Sequence, residues 1–500
     1  MHQPTKVTYG VDPWPSAVRA RLLLVLLVAA VILTVISGCS DRSGSTESTT
    51  GTPASRLLTA TESAGLPPLP PSRAEVYDYY RLGFFEDGYP GRRTADGLVP
   101  HPIYGTYVIL DYLNLFKKTN DPTFLKAASH VADAAMARMD TKDEMLRFYY
   151  EPEWGLGSSG ERFVSGLTQA HYLDVLSRFQ EVSGDPRYAE ACTKILRSLA
   201  TPVEEGGVLA LTPNGPVIEE APHTPRDLVL NGWLSALRSL RRYINRTDSE
   251  DAKTLLASNL ETLASLLPLY DAPDVLNSRY RIRGYGYIRI TLGDHEGVHL
   301  ERPVLEIPGD ANYPLSDDLE TRWHMGFVRG IEREGDRFTA TSNRIQMNVV
   351  MSLLSMPEPN VLRIPIDSPR KTTLVAEIAD GPFDPLLSGR RTTRWNRIAE
   401  IAVEPGLNQV EIELGFDEIS PFVYPTNFLK KIGGRNYNSY HFLHIKLLES
   451  LCAEHGIETF CDFSERWRGY VEKWPAHPAY RDADIELHRY EQSLHHAAMP

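Results

Sequence analysis

Three short stretches of this chain place acid–base groups at close spacing. Glu219-Glu220 is an acidic pair followed by His223, Tyr280 precedes Arg283, and Tyr440-His441 is followed by His444. Carboxylates and phenols can take or return a proton when their pKa values are tuned to the task, and a nearby Arg or His lowers that of a phenol. The planar fork of an arginine holds both oxygens of a carboxylate at once. His441 and His444 fall at i, i+3 on one helix face, which also suits a metal, but no Glu-x-x-His partner accompanies them and no metal site is expected. Each group also has a plain structural reading. Glu220 can close a hairpin, Arg283 can cover a strand edge, Asn231 can cap a helix, and Trp154, Trp233 and Trp467 can fill a core.

The elements that must position these groups follow from periodicity. Ile103, Tyr107, Leu110 and Leu113 recur at helical spacing, as do Phe124, Ala127, Val131 and Ala134. A second pair of helices is expected from Phe163 to Gln180 and from Pro186 to Leu199. Both pairs are joined by a turn that doubles as a helix start, Asn120-Asp121-Pro122 and Gly184-Asp185-Pro186. Val208–Leu211 and Val217–Glu219 flank Pro213-Asn214-Gly215, a hairpin signal. Helices resume over Arg226–Tyr243 and Glu250–Leu266. From Tyr280 to about Ile419 period-two alternation dominates, as in Leu374–Ile378 and Val410–Leu414. Helical spacing returns from Tyr437 to Trp474.

The expected class is α+β: an α/α toroid-like helical body interrupted by an antiparallel β-sandwich insertion. Residues 73–285 and 426–500 form the two parts of the body, and 286–425 the insertion.

The N-terminus carries an address. Lys6, Arg19 and Arg21 precede an apolar run from Leu22 to Ile36, which ends in Ser37-Gly38-Cys39. A basic flank, an apolar stretch and small residues make a secretory signal, and Ser-Gly-Cys resembles the lipobox of bacterial lipoproteins, with Cys39 acylated. Residues 1–39 are then signal and lipobox, the body lies outside the cytoplasmic membrane, and acyl chains tether it there. An uncleaved membrane-spanning helix would export the body equally. Residues 40–72 are polar or proline-rich and are expected to be a disordered tether.

Losing three cations (Lys6, Arg19, Arg21) and one anion (Asp12) with the signal takes the formal net charge from −13 to −15. A body this acidic is a poor nucleic-acid binder, and a polyanionic ligand would need a local basic cleft. Cys452 and Cys461 flank a short turn and either form a local disulfide or remain buried thiols.

Several stretches together resemble the D-glucuronyl C5-epimerase C-terminal domain. Glu219-Glu220-Ala221-Pro222-His223-Thr224-Pro225 with Val229-Leu230-Asn231-Gly232 is similar to that family's signature. In order along the chain, Ser165–Ala170, Pro268-Leu269-Tyr270-Asp271, Tyr280–Arg283 and Tyr440–Ile445 resemble further motifs, and Arg466-Trp467 its closing helix. The resemblance covers residues 101–285 and 437–475, with the β insertion between its last two motifs. It implies a catalytic set of Glu220, Tyr280, Arg283 and Tyr440, with Glu219, His223, Asn231, His441 and His444 at the substrate. The family's tyrosine after the acidic pair is Ala221 here, so that role passes to a neighbour such as His223 or the substrate differs.

The reaction so implied is C5 epimerisation of uronic acid residues in a polysaccharide. The proton beside a carboxylate is removed on one face and returned on the other, while the developing enolate is stabilised. No cofactor is expected, since no phosphate-cradling glycine loop occurs. Two other readings share the scaffold: a uronate lyase, which would expel the C4 substituent after the same first step, and a non-catalytic glycan-binding lipoprotein.

Overall fold

The computed structural model describes residues 51–156, 161–315, 325–335, 337–380, 394–417, 419, 424, 430–432, 435–437 and 439–477. The signal, Cys39 and the first part of the expected tether lie outside them. Among the described residues no helix is long and apolar enough to cross a membrane.

The chain is α+β, with helices preceding and following a strand-rich stretch. The helices are α1 (Pro53–Ser63), α2 (Ala74–Tyr79), α3 (Tyr104–Thr119), α4 (Pro122–Met136), α5 (Gly166–Ser183), α6 (Pro186–Ala200), α7 (Leu230–Thr247), α8 (Glu250–Leu266), α9 (Ser439–His455) and α10 (Glu458–Lys473). Three consecutive hairpins share one joint. Helices α3, α5 and α7 end on a left-handed residue: Asn120, Gly184 and Asp248, at φ of 55°, 71° and 56°. The next residue caps the following helix, with the Asp121, Asp185 and Ser249 side chains accepting from backbone N–H groups of its first turn. Glycine or a short polar side chain tolerates the reversal, and the cap satisfies an otherwise orphaned donor. Helix α7 begins later than periodicity suggests, because residues 226–229 are not helical: Leu228 takes a left-handed φ of 45° and Val229 is extended.

Trp233 and Trp467 are fully buried. The Trp233 indole donates to Asn259 Oδ1 at 2.9 Å, and the same oxygen accepts Ile218 N–H at 3.0 Å. Asn259 also donates to Leu255 O at 3.0 Å. One buried amide thereby ties α7, α8 and the hairpin of Leu209–Thr212 with Gly215–Ile218.

The tether expectation is corrected from residue 53 onward. Helix α1 and the proline-rich run after it pack on the body, with Leu57, Leu66 and Leu69 in the core. Tyr112 donates its hydroxyl to Pro67 O at 2.8 Å. Prolines deny the run a hydrogen-bond ladder, yet leucines three apart bury from an extended chain as well as from a helix.

The strand-rich stretch forms two antiparallel sheets. One runs in the order Gly326–Arg329, Arg344–Ser352, Arg283–Leu292, Thr372–Asp380, Arg394–Val403. The other centres on Asn360–Ser368, paired along its length with Gly406–Leu414. Leu362, Ile364 and Ile366 alternate with half-exposed residues, and Val410, Ile412 and Leu414 alternate with exposed ones, so each of these strands buries one face.

Helix α10 is fastened to the loop after α8. Asp271 accepts from the Trp467 indole at 2.9 Å, Tyr470 at 3.0 Å and Arg466 at 3.0 Å. Cys452 in α9 and Cys461 in α10 form a disulfide, and Cys192 is a buried free thiol. The two bonded cysteines are 9 residues apart in sequence, so the loop they close is short and the crosslink contributes about 2–3 kcal/mol by chain entropy. Replacing both with serine should lower unfolding free energy by that amount in denaturant melts. Equal midpoints for the oxidised wild-type and serine forms would show that the bond constrains nothing.

Candidate functional site

The site is built where the hairpin strand Gly215–Ile218 runs out into Glu219 and Glu220. Gly166, at the start of α5, donates its N–H to Glu219 O at 2.9 Å. Gly232 lies in the first turn of α7, and a Cβ there would sit 2.1 Å from Glu220 Oε2 and 2.6 Å from its Cβ. The glycine of Val-Leu-Asn-Gly is therefore the opening through which Glu220 reaches the start of α7, the end of a helix that favours negative charge. Asn231 is the second residue of α7. Val229 occupies the cap position, so Asn231 does not cap the helix, and its buried Oδ1 has no hydrogen-bond partner among the described residues.

Asp227 holds the neighbouring segments together. Its carboxylate lies 2.6 Å from Arg283 Nε and 3.3 Å from Arg281 Nη1, and Arg283 also donates to Pro225 O at 3.2 Å. The Asp227 N–H donates to Glu219 Oε1 at 3.0 Å, and its carbonyl accepts Ile282 N–H at 3.2 Å. Burial pulls the Asp227 pKa upward, but Arg281, Arg283 and His223 outweigh it and leave the carboxyl lowered. Leu230 N–H donates to Tyr280 O at 3.0 Å, and Tyr270 donates to Leu228 O at 2.7 Å. The acidic pair, the start of α7 and the Tyr-Arg-Ile-Arg run are thus laced together.

The Tyr280 and Tyr440 rings lie 5.2 Å apart, although 160 residues separate them in sequence. The pKa of Tyr280 is well above the usual phenol value, through burial first, then Glu220 and Tyr440. This reverses the expectation of a lowered phenol: the nearby anions and burial outweigh the opposing pull of Arg281. Glu220, Tyr280 and Tyr440 are therefore brought into one group.

Other expected site residues are placed differently. Arg283 is 4% exposed and its guanidinium is occupied by Asp227 and Pro225, so it is not aimed at a ligand carboxylate. Glu219 is 1% exposed, with Oε1 accepting from the Asp227 and Leu228 N–H groups. Burial, then Asp227, pushes its pKa up to about 8.

His441 and His444 are wholly buried, and both reach Ser278 Oγ through Nδ1, at 2.8 and 2.9 Å. His441 Nδ1 accepts the Ser278 N–H at 3.0 Å and Nε2 donates to Trp467 O at 3.0 Å, which defines a neutral ring. Burial takes its pKa down to about 3. These histidines latch α9 to the strand Asn277–Ser278 and are closed off from solvent. His223 is half-buried, 6.1 Å from the Phe163 ring.

The spacing of motifs missed a wall of aromatic groups around Glu220. Tyr150 is electrostatically coupled to Glu220, stacks on Phe163 at 4.8 Å and shares a 2.8 Å hydrogen bond with Thr168. His101 stacks on Tyr104 at 3.9 Å, and its buried Nδ1 has no hydrogen-bond partner among the described residues. Tyr107 is coupled to both Tyr150 and Tyr440. Of these, Tyr107 was visible only as a helix-periodic position, and Tyr150 stood in no recognisable motif.

The buried Glu219 gives the stability a sign. With its folded pKa raised from 4.5 to about 8, its contribution is fully present below pH ~4.5 and is lost as pH rises toward 8. Glu219→Gln keeps an acceptor and removes the titration. Urea melts should show the variant gaining on wild type between pH 5 and 8, at up to ~1.4 kcal/mol per unit. A difference that stays constant over that range would mean the carboxyl is not raised.

Part of the chain is similar to known proteins. Residues 142–294, which hold Glu220, Tyr280 and Arg283 but not Tyr440, match the D-glucuronyl C5-epimerase C-terminus family. An uncharacterised protein of Methanocaldococcus jannaschii is 30% identical over 149 residues, 29% of this chain and 48% of its own length. A D-glucuronyl C5-epimerase of Caenorhabditis elegans is 30% identical over 119 residues, 21% of this chain and 19% of its own length. The chain thus spans less than half of either relative. Among solved structures, a GH76 alpha-mannanase of Bacteroides thetaiotaomicron is similar over 45% of this chain and 63% of its own, at 14% identity and a TM-score of 0.30, too low to carry an argument. The stretch 142–294, where the acidic pair meets the start of α7, is thus similar to the D-glucuronyl C5-epimerase C-terminus family.

Proposed function

We propose that this protein epimerises uronic acid residues of a polysaccharide at C5. The observation that carries the reading is the grouping of Glu220 with Tyr280 and Tyr440, supported by the family match. Glu220 takes the C5 proton on one face of the sugar. Tyr280, whose raised pKa keeps its proton in place, returns one to the other face. Tyr440 donates to the substrate carboxylate as charge develops on it. Arg281 and Arg283 against one Asp227 leave a net positive charge behind the site, which favours the enolate through the field and not by direct contact. Asn231 Oδ1, unpartnered among the described residues, accepts a sugar hydroxyl, and His223 stands closest to the role left open by Ala221.

The architecture we infer is a toroid-like closure of the helical hairpins, with residues 286–425 inserted as a sandwich. The body is exported and tethered through acylated Cys39. The Cys452–Cys461 disulfide supports an oxidising compartment.

The test is proton NMR of glucuronate-containing polysaccharides incubated with the protein in deuterated water. The expected result is loss of the C5 proton signal with no alkene, and a fall of at least ~100-fold in that rate for Glu220→Gln. New alkene signals would make the protein a lyase. Binding without exchange would make it a glycan-binding protein on the same scaffold.

A further inference from the structure

Helices α3, α5 and α7 enclose a notch away from the acidic pair. It is lined by Tyr107 from α3, by His171, Asp174 and Arg178 from α5, and by Arg238 and Arg242 from α7. The residues of α5 and α7 recur at three- and four-residue spacing, so each set shares one helix face. Three guanidinium groups here face one carboxylate, in a chain whose formal net charge is −13.

Most of these groups are committed. Asp174 is paired with Arg242 at 3.3 Å and with Arg246, and Arg178 donates to Asn114 Oδ1 at 2.8 Å. Arg238 is different. It is half-buried and makes no hydrogen bond or ion pair among the described residues. Burial, then Arg242, brings its pKa down to about 10, while burial takes His171 to about 4 and leaves it a neutral ring. Asp174 and Glu454 offset only part of the cost of holding this cation half-buried beside Arg242 without a direct ion pair.

The notch has a volume of about 30 Å³, room for roughly two waters. It can admit the head of an anionic group but not a sugar ring. Arg238 follows Asn231 by seven residues, which is about 10 Å along α7. Tyr107 joins the two places, since its ring lies 6.1 Å from His171 and its hydroxyl is coupled to Tyr440.

We infer that the Arg238 notch is an anion subsite, taking a second carboxylate or sulfate of an acidic polysaccharide whose reacting residue lies at Glu220. This placement of the ligand rests on the proposed polysaccharide function; the anion-binding chemistry of the notch does not. Among the described residues Arg238 makes no ion pair or hydrogen bond, and Arg242, Asp174 and Glu454 set its field.

Two probes separate the sources of the anion: sodium sulfate and a glucuronate-containing oligosaccharide, each titrated calorimetrically at constant ionic strength. Wild type, Arg238→Gln and Arg238→Lys are compared. Both probes should bind wild type, weaken about tenfold with Arg238→Gln and recover most affinity with Arg238→Lys. Without ligand, Arg238→Gln should melt no lower than wild type, whereas a purely structural arginine would be missed by the fold. Oligosaccharide binding unaffected by Arg238→Gln, with sulfate binding lost, would overturn the polysaccharide part and leave a site for free anions. Equal binding of both probes to wild type and Arg238→Gln would overturn the subsite altogether. Lack of C5 exchange activity would sink the epimerase reading and leave these binding results standing.

Discussion

The buried carboxylate of Asp227 is the constraint around which the site is assembled. It is 3% exposed, and such a charge is tolerable inside a protein only when well paired. Arg281 and Arg283 supply the pairing, and both come from the run that carries Tyr280. The backbone of the same residue engages Glu219 on one side and Ile282 on the other. Tyr280 is thereby registered against Glu220 without any direct bond between their side chains being required.

A second arrangement brings in the group from the far end of the chain. Helix α9 carries Tyr440, His441 and His444, and it arrives only after the two sheets. Ser278 receives both histidines, and Asp271 receives three side chains of α10. These two anchor points lie just before Tyr280. The strand-rich stretch can therefore be long without loosening the site, because its entry and exit are fastened to the same short segment.

How much of this was legible depended on the kind of information each residue carries. The helical hairpins were readable because Asn120-Asp121-Pro122 and Gly184-Asp185-Pro186 encode a reversal and a cap locally. The strands were readable because alternation reports a half-buried sheet. Glu220, Tyr280 and Tyr440 were found through the order of motifs, and they do come together. The motifs could not tell contact from support: Arg283, Glu219, His441 and His444 sit in the same short signatures, yet the structure buries them against Asp227, backbone N–H groups and Ser278. Burial is a property of what arrives from elsewhere in the chain. For the same reason residues 53–72 read as a tether, although Leu66 and Leu69 find a core, and Tyr150 and Tyr107 passed as ordinary aromatics.

In the proposed reaction Glu220 and Tyr280 act from opposite faces of the sugar. The direct measurement is the product stereochemistry of Tyr280→Phe in deuterated water. Glu220 should still remove the C5 proton and return deuterium on its own face, so label enters with retained configuration while the epimer disappears. Formation of the epimer at the wild-type rate would contradict the assignment.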